Sequence, residues 1–392
     1  MNRHLSLLTI CQGLFLTNNV TFIAINGLVG LALAPRPWMA TLPVMGYVVG
    51  GALSTGLVAR SQKALGRQRG FMLGLLVAMV SALLCAYAAV SRNFWLLCLA
   101  TVVAGYYNAN AILYRFAAAE LTDKAGREKA VSWVMAGGLI GAIAGPNLAA
   151  YTRDMTAVPF AGAYLALAGV AVAGMALMAM IRFPQAAAPA AHASDRPLRE
   201  IMRQPVFIVA ALAGALSYGV MNLLMAATPL AMDMCGLPFK DAAFVLEWHV
   251  IGMFAPGFFT GNLIKRFGAL PVMAVGVLLN LGCVLVALSG VQLHHFLVAL
   301  FLLGVGWNFL FTGSTTMALS AYAPGERDRA QGAINFFVFA TMAITSPASG
   351  ALVTTQGWDI LNFGSLIPVT VCGASLLWLA RLQRPAAAGP AA

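Results

Sequence analysis

In the run FVLEWHVIGMFAPGFFTGNLIKRFG, Phe244 to Gly268, a carboxylate and an imidazole interrupt a largely apolar stretch. A charged side chain at the centre of a hydrocarbon-spanning helix costs roughly 2.5–3.5 kcal/mol on insertion scales, so it is kept for a reason. Glu247 fits a group that takes up and releases a proton as a cavity opens and closes. The competing reading is a structural hydrogen bond, or contact with water near a mouth. His249 is two residues further on, about 200° round a helix, so the two cannot both face one cavity squarely. If Glu247 looks at a cavity, His249 looks at a neighbouring helix. Its readings are a second proton-coupling group or a packed, neutral histidine. No further His, Cys or carboxylate stands at ligand spacing, so neither a metal nor another cofactor is expected. No nucleophile–base pair or phosphate-binding glycine loop is present either, and an enzyme is not expected.

Other polar side chains recur within apolar runs: Asn18 and Asn19; Tyr107 and Asn108; Asn147; Tyr218 and Asn222; Trp307 and Asn308. An amide inside hydrocarbon must face protein or water rather than lipid. Each is therefore either an interhelical hydrogen bond, averaging about 0.6 kcal/mol, or a substrate contact. Asn108 and Asn308 each follow an aromatic residue, a pairing suited to clamping a flat or apolar ligand from two sides.

These residues need spans to hold them. The chain has 392 residues, 61% hydrophobic and 9% charged, with mean hydropathy +0.85. A soluble protein carries about 25% charged residues, and a helix of about 20 apolar residues crosses a bilayer. The pattern predicts twelve spans, near 6–33, 38–59, 70–90, 94–118, 130–151, 158–182, 205–232, 240–263, 269–290, 293–320, 330–354 and 358–381. With the N-terminus in the cytoplasm, the only basic residues outside are Arg36, Arg92, Arg153 and Lys240, of 23 in all. That is the positive-inside bias, and it predicts cytoplasmic termini. The net charge of +11 is therefore topological, and no nucleic-acid partner is expected. The first span is expected to serve as its own targeting signal. Five of the six cysteines fall inside spans, so no structural disulfide is expected.

The chain also repeats itself. Tyr107-Asn108 matches Trp307-Asn308, Arg127-x-x-Ala130 matches Arg327-x-x-Ala330, Pro146 matches Pro347, and Gly56-x-x-x-Arg60 matches Gly261-x-x-x-Lys265. The halves are read as 1–182 and 205–392, joined by an Ala/Pro-rich cytoplasmic linker at 183–204. Two such halves are the plan of a secondary transporter, with the substrate site near the midplane between them. Gly137, Gly141 and Gly145 lie on one helical stripe, which permits close helix packing in lipid and also sliding. Pro146 and Pro347 are read as matching kinks or hinges.

On these residues the chain resembles the major facilitator superfamily. GNLIKRFGA, with Gly261, Lys265, Arg266 and Gly268, and its echo GLVARSQKALGRQR, with Gly56 and Arg60, are similar to the family's cytoplasmic loop motif Gly-x-x-x-Asp-Arg-x-Gly-Arg. GGLIGAIAGP, ending at Pro146, resembles its antiporter-type Gly/Pro motif. Arg60 and Lys265 replace the motif's acidic residue, so the resemblance implies a different latch here. Thr101 stands where proton-coupled drug exporters often have arginine, which weakens that reading.

The resemblance implies an all-α membrane protein of two six-helix bundles related by a pseudo-two-fold axis, with spans 1, 4, 7 and 10 lining the cavity. We therefore expect a bacterial inner-membrane transporter of a small organic solute, working by alternating access and coupled to protons. It is expected to be monomeric in the lipid bilayer. Few charges line the expected cavity, so a neutral or weakly polar, aromatic-bearing substrate fits best. Glu120, Asp123, Glu128, Glu326 and Asp328, beside Arg127, Arg327 and Arg329, are expected to form a cytoplasmic salt-bridge network, which Arg115 either joins by snorkelling or leaves to reach an anionic substrate. The alternatives are a multidrug efflux antiporter and a transporter-like receptor that moves nothing.

Overall fold

The structure is a computed structural model. It describes residues 3–123, 126–184 and 196–383, apart from the side chains of Glu128, Pro324 and Asp328. Among them there is no strand. The helices are α1 (Arg3–Leu33), α2 (Leu42–Val90), α3 (Phe94–Ala111), α4 (Tyr114–Glu120), α5 (Arg127–Ala136), α6 (Gly138–Thr152) and α7 (Ala161–Ala179), followed by α8 (Leu198–Met202), α9 (Pro205–Met234), α10 (Phe239–Phe254), α11 (Gly257–Phe267), α12 (Ala269–Leu288), α13 (Leu293–Ala318) and α14 (Arg327–Leu382). Ten helical stretches among the described residues are long and apolar enough to cross a membrane.

Two of those stretches are 54 residues long. At 1.5 Å per residue that is about 80 Å, far more than a bilayer core of about 30 Å. Each is two helices meeting at one glycine: Gly66 (φ 77°, ψ 170°) in α2 and Gly357 (φ 86°, ψ 176°) in α14. The same backbone recurs at Gly268 (φ 87°, ψ 163°) between α11 and α12. This corner of backbone space is essentially reserved for glycine, because a Cβ clashes there. The arginine-rich stretch 60–69, expected as a connection, is thus helical up to a one-residue joint. Gly66→Ala is expected to cost about 1–3 kcal/mol, read as a lower melting temperature in detergent. An unchanged melt would show that the joint is not held in that conformation.

The helices gather into two bundles. One is built from α1 to α7 and the other from α9 to α14, and they touch mainly where α6 meets α10, α2 meets α14 and α1 meets α9. Glycine allows the closest approaches. A Cβ on Gly141 would overlap the backbone around Gly13 and Thr17 of α1, and one on Gly145 would sit 3.0 Å from the Thr17 carbonyl. The Gly137/141/145 stripe is therefore a packing face against α1. Gly56 and Gly261 have no atoms within 4 Å of such a Cβ. In the two loop motifs the backbone demand falls on Gly66 and Gly268 instead.

Candidate functional site

The contacts between the bundles gather at the face expected outside. The Gly350 amide donates to Thr41 Oγ1 at 3.0 Å, and Phe160 meets Phe239 edge-on at 4.9 Å. Asn147 Nδ2 donates to Glu247 Oε2 at 2.8 Å and also to its own helix at the Ile143 carbonyl. Towards the other face the partners are local: α11 packs on α10, α12 and α13, while α4 and α5 pack on α1 and on each other. The two bundles are thus joined at one end and separate at the other.

Glu247 lies in this junction, half-buried, on the face of α10 that meets α6. His249 is fully buried on another face, its Nδ1 donating to the Leu300 carbonyl of α13 at 2.7 Å. A carbonyl only accepts, so Nδ1 carries the proton, and Nε2 has no partner. The two candidate proton-coupling residues therefore look at different helices, as their 200° separation requires.

The amides divide. Asn222 donates from Nδ2 to Thr345 Oγ1 (3.0 Å) and Ser346 Oγ (2.9 Å), tying α9 to α14. Asn308 donates to the Met253 carbonyl and accepts from the Thr260 hydroxyl, both at 2.7 Å. Those partners flank Pro256, whose missing N–H breaks the helix between α10 and α11. Asn308 thus clips a helix break. Asn222 bridges two helices. Asn19 donates to the Tyr47 hydroxyl at 3.2 Å, Asn18 is buried, and Asn108 stays half-buried with its amide beside Gly51. Tyr107 is buried against Phe15, edge-on at 5.6 Å, inside the first bundle's core.

The aromatic residues of the second bundle converge. Trp307 stacks on Phe311 (5.2 Å, 8° between planes), and Tyr218 stands edge-on to both at 5.1 and 4.9 Å. Phe254, beside the break in α10–α11, reaches Trp307 at 6.3 Å and also packs against the first bundle's core. Tyr218, Phe254 and Phe311 remain half-exposed. Trp307 Nε1 is buried without a hydrogen-bond partner. Phe311 and Phe254 were not among the sequence candidates, although Phe311, four residues after Trp307, was within reach of helical spacing.

The expected ionic network is different. Glu120 pairs with Arg67 at 2.5 Å, and Glu326 pairs with Arg196 at 2.9 Å. Arg127 and Arg327 are exposed and pair with no described carboxylate; the side chains of Glu128 and Asp328 lie outside the described residues. Arg115 does not join Glu120, which Arg67 already holds in a forked contact. Arg60, Lys265 and Arg266 are exposed at the face expected to be cytoplasmic. Pro146 lies in the α1–α6–α10 junction, and the Pro347 carbonyl faces the Thr41 hydroxyl at 3.5 Å, so both prolines sit where the bundles join. A cavity of about 190 Å³ at that end is lined by Arg153, Asp233, Phe160 and Phe239. It is smaller than the roughly 300–1,000 Å³ typical of ligand pockets.

Comparison with known proteins places this geometry. The family profile of the Major Facilitator Superfamily matches residues 5–256 and, again, 212–392. The riboflavin transporter RfnT of Brucella anthropi is 39% identical over 364 residues, covering 92% of each chain. An uncharacterised transporter of the same type from Bacillus subtilis, YddS, is 25% identical over 89% of this chain and 84% of its own. Among solved structures, a bacterial homologue of the human lysosomal transporter Spinster superposes with TM-score 0.74 at 14% identity, covering 97% and 98% of the two chains. The nucleoside transporter NupG does so with 0.71 at 11%, covering 98% and 100%.

Proposed function

The chain belongs to the Major Facilitator Superfamily, and we propose that it is a proton-coupled transporter of a flat heteroaromatic solute, riboflavin in the first instance. The observation that carries this reading is the aromatic group of buried Trp307 with the half-buried Tyr218 and Phe311, and Phe254 beside it. Rings stacked on aromatic side chains gain about 1–3 kcal/mol each in nucleic-acid sites, and a tricyclic ring offers the same kind of face. The relative named as a riboflavin transporter supports the choice among flat solutes.

In this reading the two broken stretches count as two spans each, giving twelve. The halves are 1–182 and 205–392 with the linker between them, and both termini lie on the cytoplasmic side of the inner membrane of a bacterium. The protein works as a monomer. The bundles, joined at the outer end and parted at the inner one, represent an inward-facing state. Glu247, at the junction between the bundles, carries the coupled proton, while His249 braces α10 against α13.

The test is riboflavin transport by the purified chain in proteoliposomes. Wild type is expected to move riboflavin faster with an imposed pH gradient than without one. Trp307→Ala is expected to raise KM about tenfold, in line with the loss of one stacking partner. Transport of unrelated drugs with no competition from riboflavin would replace this reading with the efflux alternative.

A further inference from the structure

Phe160, the residue before α7, has φ 66° and ψ −8°. Among the described residues the only other non-glycine with a positive φ is Arg92. A bulky side chain in this left-handed region is strained, and it persists where the surroundings hold it. Glycine would make the same turn without strain, so it is the ring that this position keeps.

Three contacts show what the ring does. The Phe160 amide donates to the Arg153 carbonyl at 2.8 Å, which fastens the connection after α6 back on itself. The ring then crosses to the other bundle and meets Phe239, the first residue of α10, edge-on with centroids 4.9 Å apart. The Arg153 guanidinium carbon lies 5.4 Å from the Phe160 centroid and 5.8 Å from that of Phe239. Both are within the roughly 6 Å over which a cation is drawn to an aromatic ring. One cation thus holds a ring from each bundle, and both rings are buried. The carboxylate beside it, Asp154, is exposed and 3.7 Å away.

Position gives this cluster a task. Arg153 follows Asn147 at the end of α6, and Phe239 precedes Glu247 on α10. At 1.5 Å per residue, Phe239 stands about 12 Å further out along α10 than Glu247. The cluster and the Asn147–Glu247 contact therefore fasten the same two parts, the end of α6 with its connection and the start of α10. These parts cannot separate without breaking both. One contact contains a group that exchanges protons, whereas arginine and two phenyl rings keep their charge state at any physiological pH.

We propose that Arg153, Phe160 and Phe239 are the outer gate of the transport path: the guanidinium clamps a ring from each bundle while the inner end is open, and the rings part when the outer end opens. This rests on the reading of the structure as the inward-facing state of an alternating-access transporter. A contact made in only one of two states shifts their balance by what it is worth there. Weakening the clamp therefore moves the protein towards the outward-facing state.

The experiment measures the width of the inner opening in the purified full-length protein by double electron–electron resonance. Spin labels are placed at Lys63→Cys and Ser320→Cys, exposed positions on the two bundles near the inner face. Cys98 and Cys235, the two cysteines that are not buried, are replaced by serine. Both labels are remote from the gate, so local repacking around the rings does not move them. Wild type is expected to show mainly the longer distance. Phe239→Leu, Phe160→Gly and Arg153→Gln are each expected to raise the ratio of a shorter to the longer distance at least about threefold, the scale of one lost aromatic or cation–ring contact. Arg153→Gln carries the test if a ring variant does not fold. Folded variants with the wild-type distances would overturn the gate and leave alternating access standing. A wild type already at the shorter distance would overturn the inward-facing reading, and the gate with it.

Discussion

Glu247→Gln is expected to abolish the stimulation of transport by a pH gradient while leaving ligand binding within about threefold of wild type. Glutamine has nearly the shape of glutamate, and its amide oxygen can still accept from Asn147 Nδ2, now 2.8 Å from the carboxylate. The junction between α6 and α10 therefore keeps its contact, and only the ability to exchange a proton is lost. A hydrogen bond to a charged acceptor is roughly twice as strong as a neutral one, so the ionised carboxylate holds the junction more firmly than the protonated form. The titratable and charged groups on the elements packed around α10 stand apart from this contact. Asp233 is at the end of α9, Arg3 and His4 are at the far end of α1, and His294 and His295 begin α13. Lys265 and Arg266 close α11, Lys240 and Asp241 sit in the first turn of α10, and His249 is bound to Leu300. Rates in proteoliposomes with and without an acid exterior decide the matter. A glutamine variant still accelerated by the gradient would place the proton elsewhere.

Gly50→Val is expected to prevent accumulation of folded protein, or to lower stability by about 3 kcal/mol or more. A Cβ at Gly50 would overlap the Val102 carbonyl, and one at Gly105 would overlap the backbone of Gly50 and Gly51. Both obstacles are main chain within helices, so neither can rotate aside. In lipid, where hydrophobic association no longer drives helices together, close backbone packing carries much of the stability, and this crossing joins α2 to α3. Gly56→Ala, one and a half turns along the same helix and with nothing within 4 Å, serves as the control. It is expected to be neutral or stabilising by up to about 1 kcal/mol. Thermal melts in detergent compare the two, and a Gly50→Val protein that melts like wild type would show that the helices can part without cost.

The multi-pass helical character could be read in the sequence because hydrocarbon imposes one strong rule on every residue that meets it. The pairings could not. Asn147 and Glu247 are a hundred positions apart, and nothing local to either names the other. An amide looks the same in sequence whether it lines a cavity or spans two helices, so the bonds of Asn222 to α14 and of Asn308 to the break at Pro256 could not be read there. Arg127 and Arg327 looked like network members because acids stand beside them in the chain. Among the described residues, pairs reach across a bundle, from Arg67 to Glu120, and from the linker's Arg196 to Glu326. Turning His249 away from Glu247, by contrast, needed only helical geometry.

The glycine joints at Gly66, Gly268 and Gly357 have a mechanical consequence. A loop of several residues between two helices is slack, and it lets one turn without moving the other. A joint one residue long has no slack. The two helices of each pair are thus held close at one end, with a single positive-φ glycine between them. On the proposed alternating-access reading, the two spans that meet at each joint are then expected to tilt together.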